Sequence, residues 1–281
     1  MRTYLIIFLS LFFFTNSGKS VPSGQLSLSS YLPEVNYRDV SYGNDPKQKI
    51  DIYLPAGRSK SKTNVLVLIH GGGWTQGDKA DFKDVLDSLK NRLPDYAIFN
   101  INYRLANRDG NFFPTQEEDI KAAIDFIFRK RKEYKISSRW VLAGASAGAH
   151  LALLQGYKYS KPVKPKAIIN YFGPTDLDSL IANTDAKEKT KAELKIITNK
   201  VVNSSSPARL VNVHTPPTIS FQGLNDGLVP PSQQIYLHSK LKAMNIPEKL
   251  ELYPNEGHGF TPATMTRSMD AIVDFLKKYV K

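Results

Sequence analysis

From residue 65 onward the chain alternates short, β-rich apolar runs with longer amphipathic stretches, and few folds accommodate that rhythm. Residues 65–69 precede a helical stretch around 82–93, and 96–103 precede one from 115 to about 131. Residues 140–143 run into 147–157, and 167–171 and 218–222 are further buried-strand candidates. The chain closes with a helix near 232–244, a strand at 249–253 and a helix within 262–279. Strands joined by helices of this length predict an α/β fold, a mostly parallel sheet with helices on both faces. Two strand-like stretches come first, at 35–40 and 49–54, separated by the turn-forming Gly43, Asn44, Asp45 and Pro46. With 281 residues, 41% of them hydrophobic, the chain fills one substantial core, and a single domain over 35–281 is expected.

The first twenty residues read differently. Arg2 is followed by an apolar run over 4–14, broken only by Ser10, and then by the small and polar stretch 15–20. That order predicts a signal peptide cleaved after Gly18 or Ser20, a linker or arm over 21–34, and a secreted or periplasmic protein. A membrane span needs ~20 apolar residues, more than this run supplies, so no stable membrane insertion is expected after cleavage. The absence of cysteine excludes disulfides, thiolate metal sites and a cysteine nucleophile. The net charge of +12 comes from lysines spread along the chain and interleaved with acids, which predicts a solvated surface and no nucleic-acid partner. Residues 178–206 break the rhythm as a small, polar, lysine-rich insertion, either a cap or a surface helix pair.

Two motifs stand at strand ends. Gly144, Ala145, Ser146, Ala147 and Gly148 fit GxSxG, directly after one apolar run and directly before a helical one. A nucleophile on a sharp strand-to-helix turn needs small flanking residues, because the strained turn leaves no room beside the serine. Upstream, His70, Gly71, Gly72, Gly73 and Trp74 follow the strand at 65–69. Successive glycines can turn backbone N–H groups inward, so Gly72 and Gly73 with Ala147 are the predicted donors to an oxyanion. A phosphate-binding loop would need a GxxxxGK[ST] pattern, which does not follow.

A serine hydroxyl attacks only once a base removes its proton, so a histidine should lie further along. Of five histidines, His70 is expected to brace the glycine loop and His150 to pack on the helix after the serine. His214 and His238 read as structural. His258, flanked by Gly257 and Gly259 in a loop after the last strand, is the predicted base, at the edge where doubly wound sheets carry their sites. The orienting carboxylate should also follow a strand. Asp226, after the run 218–222, fits; Asp176, after 167–171, is the rival, with a helix cap as its structural alternative.

With these residues the chain resembles the α/β-hydrolase superfamily, and within it the secreted bacterial feruloyl and acetyl-xylan esterases. Hormone-sensitive-lipase-like esterases and kynurenine formamidases are similar too. The resemblance covers most of residues 35 to 281. It rests on residues 50–55 (IDIYLP), 70–74 (HGGGW), 102–105 (NYRL), the serine turn, 173–177 (GPTDL) and the loops of Asp226 and His258. It implies Ser146, Asp226 and His258 as a triad, with oxyanion donors from the glycine stretch and Ala147, acting without metal or cofactor. The implied activity is that of a carboxylesterase on short acyl or feruloyl groups of plant polysaccharide. A small-molecule carboxylesterase, an aryl formamidase or a serine peptidase would use the same machinery. Two departures matter: Gln222 stands where many such proteins have histidine, expected to alter only local hydrogen bonding, and no large N-terminal cap is available, so an open cleft is expected.

Overall fold

A computed structural model describes residues 31–107, 110–184 and 203–281. The predicted signal peptide, residues 21–30 of the predicted arm, and the middle of the 178–206 insertion therefore lie outside the described residues. Over Leu32–Lys281 the described chain forms one compact unit.

The strands are β1 (Val35–Ser41), β2 (Lys49–Leu54), β3 (Asn64–Ile69), β4 (Tyr96–Ile101), β5 (Trp140–Ala145), β6 (Ala167–Tyr171), β7 (Thr218–Gly223) and β8 (Glu248–Tyr253). They form an eight-stranded sheet in the order β1-β2-β4-β3-β5-β6-β7-β8. The β1–β2 and β2–β4 pairs are antiparallel; every pair from β4–β3 to β7–β8 is parallel. Strands β3, β4 and β5 are apolar almost throughout, because helices cover both of their faces.

The helices are α1 (Lys83–Arg92), α2 (Thr115–Tyr134), α3 (Ala147–Lys158), α4 (Leu177–Asn183), α5 (Ser232–Ala243) and α6 (Pro262–Tyr279). One core packs α2, α3 and α5 against the sheet through residues such as Ile124, Leu153 and Leu237. The other packs α1 and α6 on the opposite face through Leu89, Ile272 and Phe275. Helix α1 begins at Lys83, after the expected start, because Lys79–Phe82 forms a 3-10 turn closed by a reciprocal cap between Asp78 and Asp81. Helix α2 runs past the expected Arg131 to Tyr134, where Lys135 adopts the left-handed conformation that ends it.

Buried ions fix the edge strands. Lys79 reaches Asp39 at 2.9 Å and Asp51 at 3.1 Å, tying the turn after the glycine loop to β1 and β2. Asp119 on α2 receives the Arg104 guanidinium and the Gln48 side-chain amide, holding the segment after β4 against α2. No helix among the described residues is long and apolar enough to cross a membrane.

Candidate active site

Because β3 and β5 to β8 are parallel, their C-terminal ends share one edge, and the loops leaving them converge there. Ser146 occupies the turn between β5 and α3 with φ 53° and ψ −123°, a conformation unfavourable for a residue with a side chain. The turn is held by the Ser146 amide donating to the Tyr171 carbonyl at 2.8 Å. The glycines of the motif are needed for backbone contact. A Cβ on Gly144 would stand 2.4 Å from the Gly148 carbonyl, and one on Gly148 would stand 2.0 Å from the Ile69 carbonyl oxygen.

His258 lies between Ser146 and Asp226. Its Nε2 is 2.9 Å from Ser146 Oγ, and its Nδ1 is 2.8 Å from Asp226 Oδ2. The network assigns the tautomer: Nδ1–H donates to the carboxylate, leaving Nε2 to accept the serine proton. The Asp226 carboxylate is fully buried, and its Oδ1 accepts the amides of Leu228 and Val229 at 3.0 and 2.9 Å. Every acceptor site is thus aimed, and the imidazole cannot swing without losing its partner. The base and acid loops are joined, since the Asn225 amide donates to the Glu256 carbonyl. Hydrogen bonds from Thr264 and Thr261 in turn hold the Glu256 carboxyl below the usual carboxylate range.

The glycine loop flanks the serine. Gly72 and Gly73 take φ of 98° and 57°, and the Gly72 carbonyl accepts the amides of Thr75 and Gln76 in a tight turn. The Gly71 carbonyl faces His70 Nδ1 at 2.8 Å and the Tyr103 hydroxyl at 3.2 Å. His70 stacks on Tyr103 with ring centroids 4.3 Å apart, and burial pulls its pKa below the ordinary histidine value, keeping it a neutral brace. With the carbonyls occupied, the amides of Gly72 and Gly73 make no backbone hydrogen bond among the described residues. Both glycines line, with Ser146, Ala147 and His258, a cavity of about 480 Å³. Ala147 opens α3, where an N–H has no acceptor within the helix.

The BD-FAE family model matches residues 50–241. The chain belongs to the BD-FAE family. Among curated proteins, this BD-FAE chain is 26% identical over 247 residues to esterase LipC of Mycobacterium tuberculosis, covering 80% of this chain and 60% of LipC. A bifunctional GH43-CE structure from Bacteroides eggerthii superposes with a TM-score of 0.71 at 27% identity, covering 85% of this chain and 38% of that one. A truncated carbohydrate esterase from gut microbiota superposes at 0.74 and 20% identity, over 88% and 96%. The latter likeness establishes the α/β-hydrolase fold. The chain spans about a quarter to three fifths of the length of the curated relatives it matches.

In this BD-FAE chain the other predicted residues take distinct places. Asp176 caps α4, its Oδ1 accepting the Ser179 amide at 3.0 Å, and both its oxygens are bound by Arg209 at 2.8 and 2.9 Å. Among the described residues it forms no hydrogen bond or ion pair with His258, whose partners are Asp226 and Ser146. His150 is fully buried, donates from Nε2 to the Ser205 carbonyl at 2.7 Å and packs edge-on against Trp74. His238 pairs with Glu248, while His214 is simply exposed.

Gln222 forms local hydrogen bonds, as expected, and one of them reaches the acid itself. The side chain is fully buried, and Nε2 donates to Asp226 Oδ2 at 3.1 Å, the oxygen that His258 uses, with the Val229 and Gly223 carbonyls also in reach. Its place immediately before Gly223, in the strand that leads to the acid, was the available signal. Arg209 was missed altogether, because it lies in the irregular stretch after the insertion. Of the insertion, α4 and a turn at Asn203–Ser205 are described; Leu180 and Thr184 line the cavity, so at least this part borders the site. On that side the cleft is bordered by Leu180 and Thr184.

Proposed function

We propose that this protein is a serine carboxylesterase. The observation that carries the reading is the unbroken relay from Ser146 Oγ through His258 to a buried Asp226, at 2.9 and 2.8 Å. His258 takes the serine proton as Oγ attacks an ester carbonyl. The amides of Gly72, Gly73 and Ala147 stabilise the oxyanion, and His258 then protonates the departing alcohol. Water, activated by the same imidazole, hydrolyses the acyl-enzyme. Similarity to esterase LipC and to the GH43-CE structure supports an ester substrate.

The substrate reading is a short acyl or feruloyl ester on plant polysaccharide, met outside the cell by a protein exported through residues 1–20. Its support is the leader-like sequence and the similarity to the GH43-CE and carbohydrate esterase structures. Labelling the protein with a fluorophosphonate, before and after Ser146→Ala, tests the nucleophile. Product analysis on acetylated xylan, feruloylated arabinoxylan and simple aryl esters tests the substrate, and release from aryl esters alone would overturn the polysaccharide reading. N-terminal sequencing of exported material tests the leader.

A further inference from the structure

A second cavity adjoins the first. It measures about 170 Å³ and lies on the α1 and α6 face of the sheet, walled by side chains such as Leu68, Val85, Leu89, Ile169, Met269 and Ile272. The two cavities share Asp81, Ala145 and Phe172, and Ala145 is the residue immediately before Ser146. The wall is almost wholly carbon, so the space has little to offer water and favours an apolar group. Met265 and Met269 give it an adaptable side.

Phe172 stands at the junction. It holds φ 41°, a strained value for a bulky residue, fixed by its amide donating to the Phe221 carbonyl at 2.9 Å. Its ring packs on His258 with centroids 4.7 Å apart. A residue that lines both cavities is therefore packed against the base.

We infer that the smaller cavity receives the apolar acyl group of the ester while Ser146 attacks its carbonyl, an inference that rests on the carboxylesterase reading. The two halves of an ester have different needs. The alcohol must leave after the first step, and a bulky alcohol fits only the larger cavity. The acyl group stays bonded to Ser146 through the second step, and a small apolar recess beside the serine suits a group that must be held while water enters from the vacated side. Asp81, the charged residue at the junction, has one oxygen engaged by the Asp78 amide at 3.2 Å.

The test uses two series of esters: one alcohol with acyl groups from acetyl to dodecanoyl, and one acetyl group with alcohols from methyl to hexyl. In the wild type, kcat/KM should rise from acetyl to butyryl or hexanoyl and fall for dodecanoyl. Val85→Trp, which projects an indole into the recess from α1, should leave the acetyl ester within twofold and lower the hexanoyl ester at least tenfold. It should leave the alcohol series unmoved. Phe82→Ala, which widens the recess, should shift the optimum to longer acyl groups, and it decides the matter if Val85→Trp does not melt as a folded protein. Equal loss at every acyl length, or loss confined to the alcohol series, overturns the assignment while leaving the esterase reading intact. Absence of fluorophosphonate labelling and of all ester hydrolysis overturns both.

Discussion

Two carboxylates leave neighbouring strands at the same edge of the sheet, and their surroundings give them opposite roles. Asp226, after β7, has one oxygen occupied by two backbone amides and offers the other to His258. Asp176, after β6, has both oxygens bound by a guanidinium and one also capping α4. A carboxylate oriented by neutral donors keeps its full charge for an imidazolium that forms during the reaction. One already paired with arginine has its charge spent on structure. Position at a strand end makes a carboxylate eligible; the partners it meets decide what it does.

The largest expected effect tests that contrast directly. Asp226→Asn should lower turnover of an aryl ester by up to ~10⁴ with the fold kept, because the amide favours the wrong histidine tautomer and cannot stabilise the imidazolium. Steady-state kinetics beside a thermal melt reads both. If Asp176→Asn is the crippled variant instead, the roles assigned here are reversed.

Gln222→Leu should sharpen the comparison, since it removes a neutral donor from Asp226 and leaves the acid in place. A hydrogen bond to a charged group contributes about 1.5–3 kcal/mol, so kcat should drop at least roughly tenfold if that bond is part of the transition-state geometry. An unchanged kcat with reduced stability would make Gln222 a purely structural residue.

Asp176→Asn should leave turnover within about threefold and cost about 2 kcal/mol of stability, more than a cap alone, because the Arg209 pair is weakened as well. Denaturant unfolding measures it. Arg209→Gln should produce a similar loss, and additive losses in the double variant would mean the pair is not coupled.

The smallest effect concerns pH. Burial lowers the His150 pKa to about 4, from an ordinary 6.5, and His150 holds Ser205 in the segment that leads to Arg209. The unfolded chain binds this proton first, so stability falls as pH drops from 6.5 toward 4, by about 1 kcal/mol between pH 6.5 and 5.5. His150→Gln should flatten that dependence. A slope unchanged by the substitution would place the sensitivity elsewhere.

Much of this arrangement was legible in the sequence. The strands β2, β3, β5, β6 and β7 are legible to within a residue or two: β3 and β5 because a strand buried on both faces is apolar almost without interruption, and β2 because its apolar residues alternate with polar ones. Ser146, Asp226 and His258 were legible because each motif sits at a strand end and the sheet is parallel. What escaped was contact across distance. Nothing local in the stretch around Arg209 points to Asp176, and Gln222 looks like a core residue until Asp226 is folded back onto it. The left-handed backbone of Phe172 carries no signal, since the preference at such positions is for glycine. The second cavity is a gap between α1 and α6, which no single segment encodes.

The meeting of Gly148 with the end of β3 bears on how such a chain can diversify. A methyl group there would collide with the carbonyls of Ile69 and His70, so the start of α3 and the start of the glycine loop are seated on one another by bare backbone. Nucleophile and oxyanion donors therefore form a single rigid die. The segments outside that die, such as the stretch between α4 and β7, can lengthen, shorten or change composition without altering the angle at which the hydroxyl meets a carbonyl. Substrate range can then drift under selection while the chemistry stays in register.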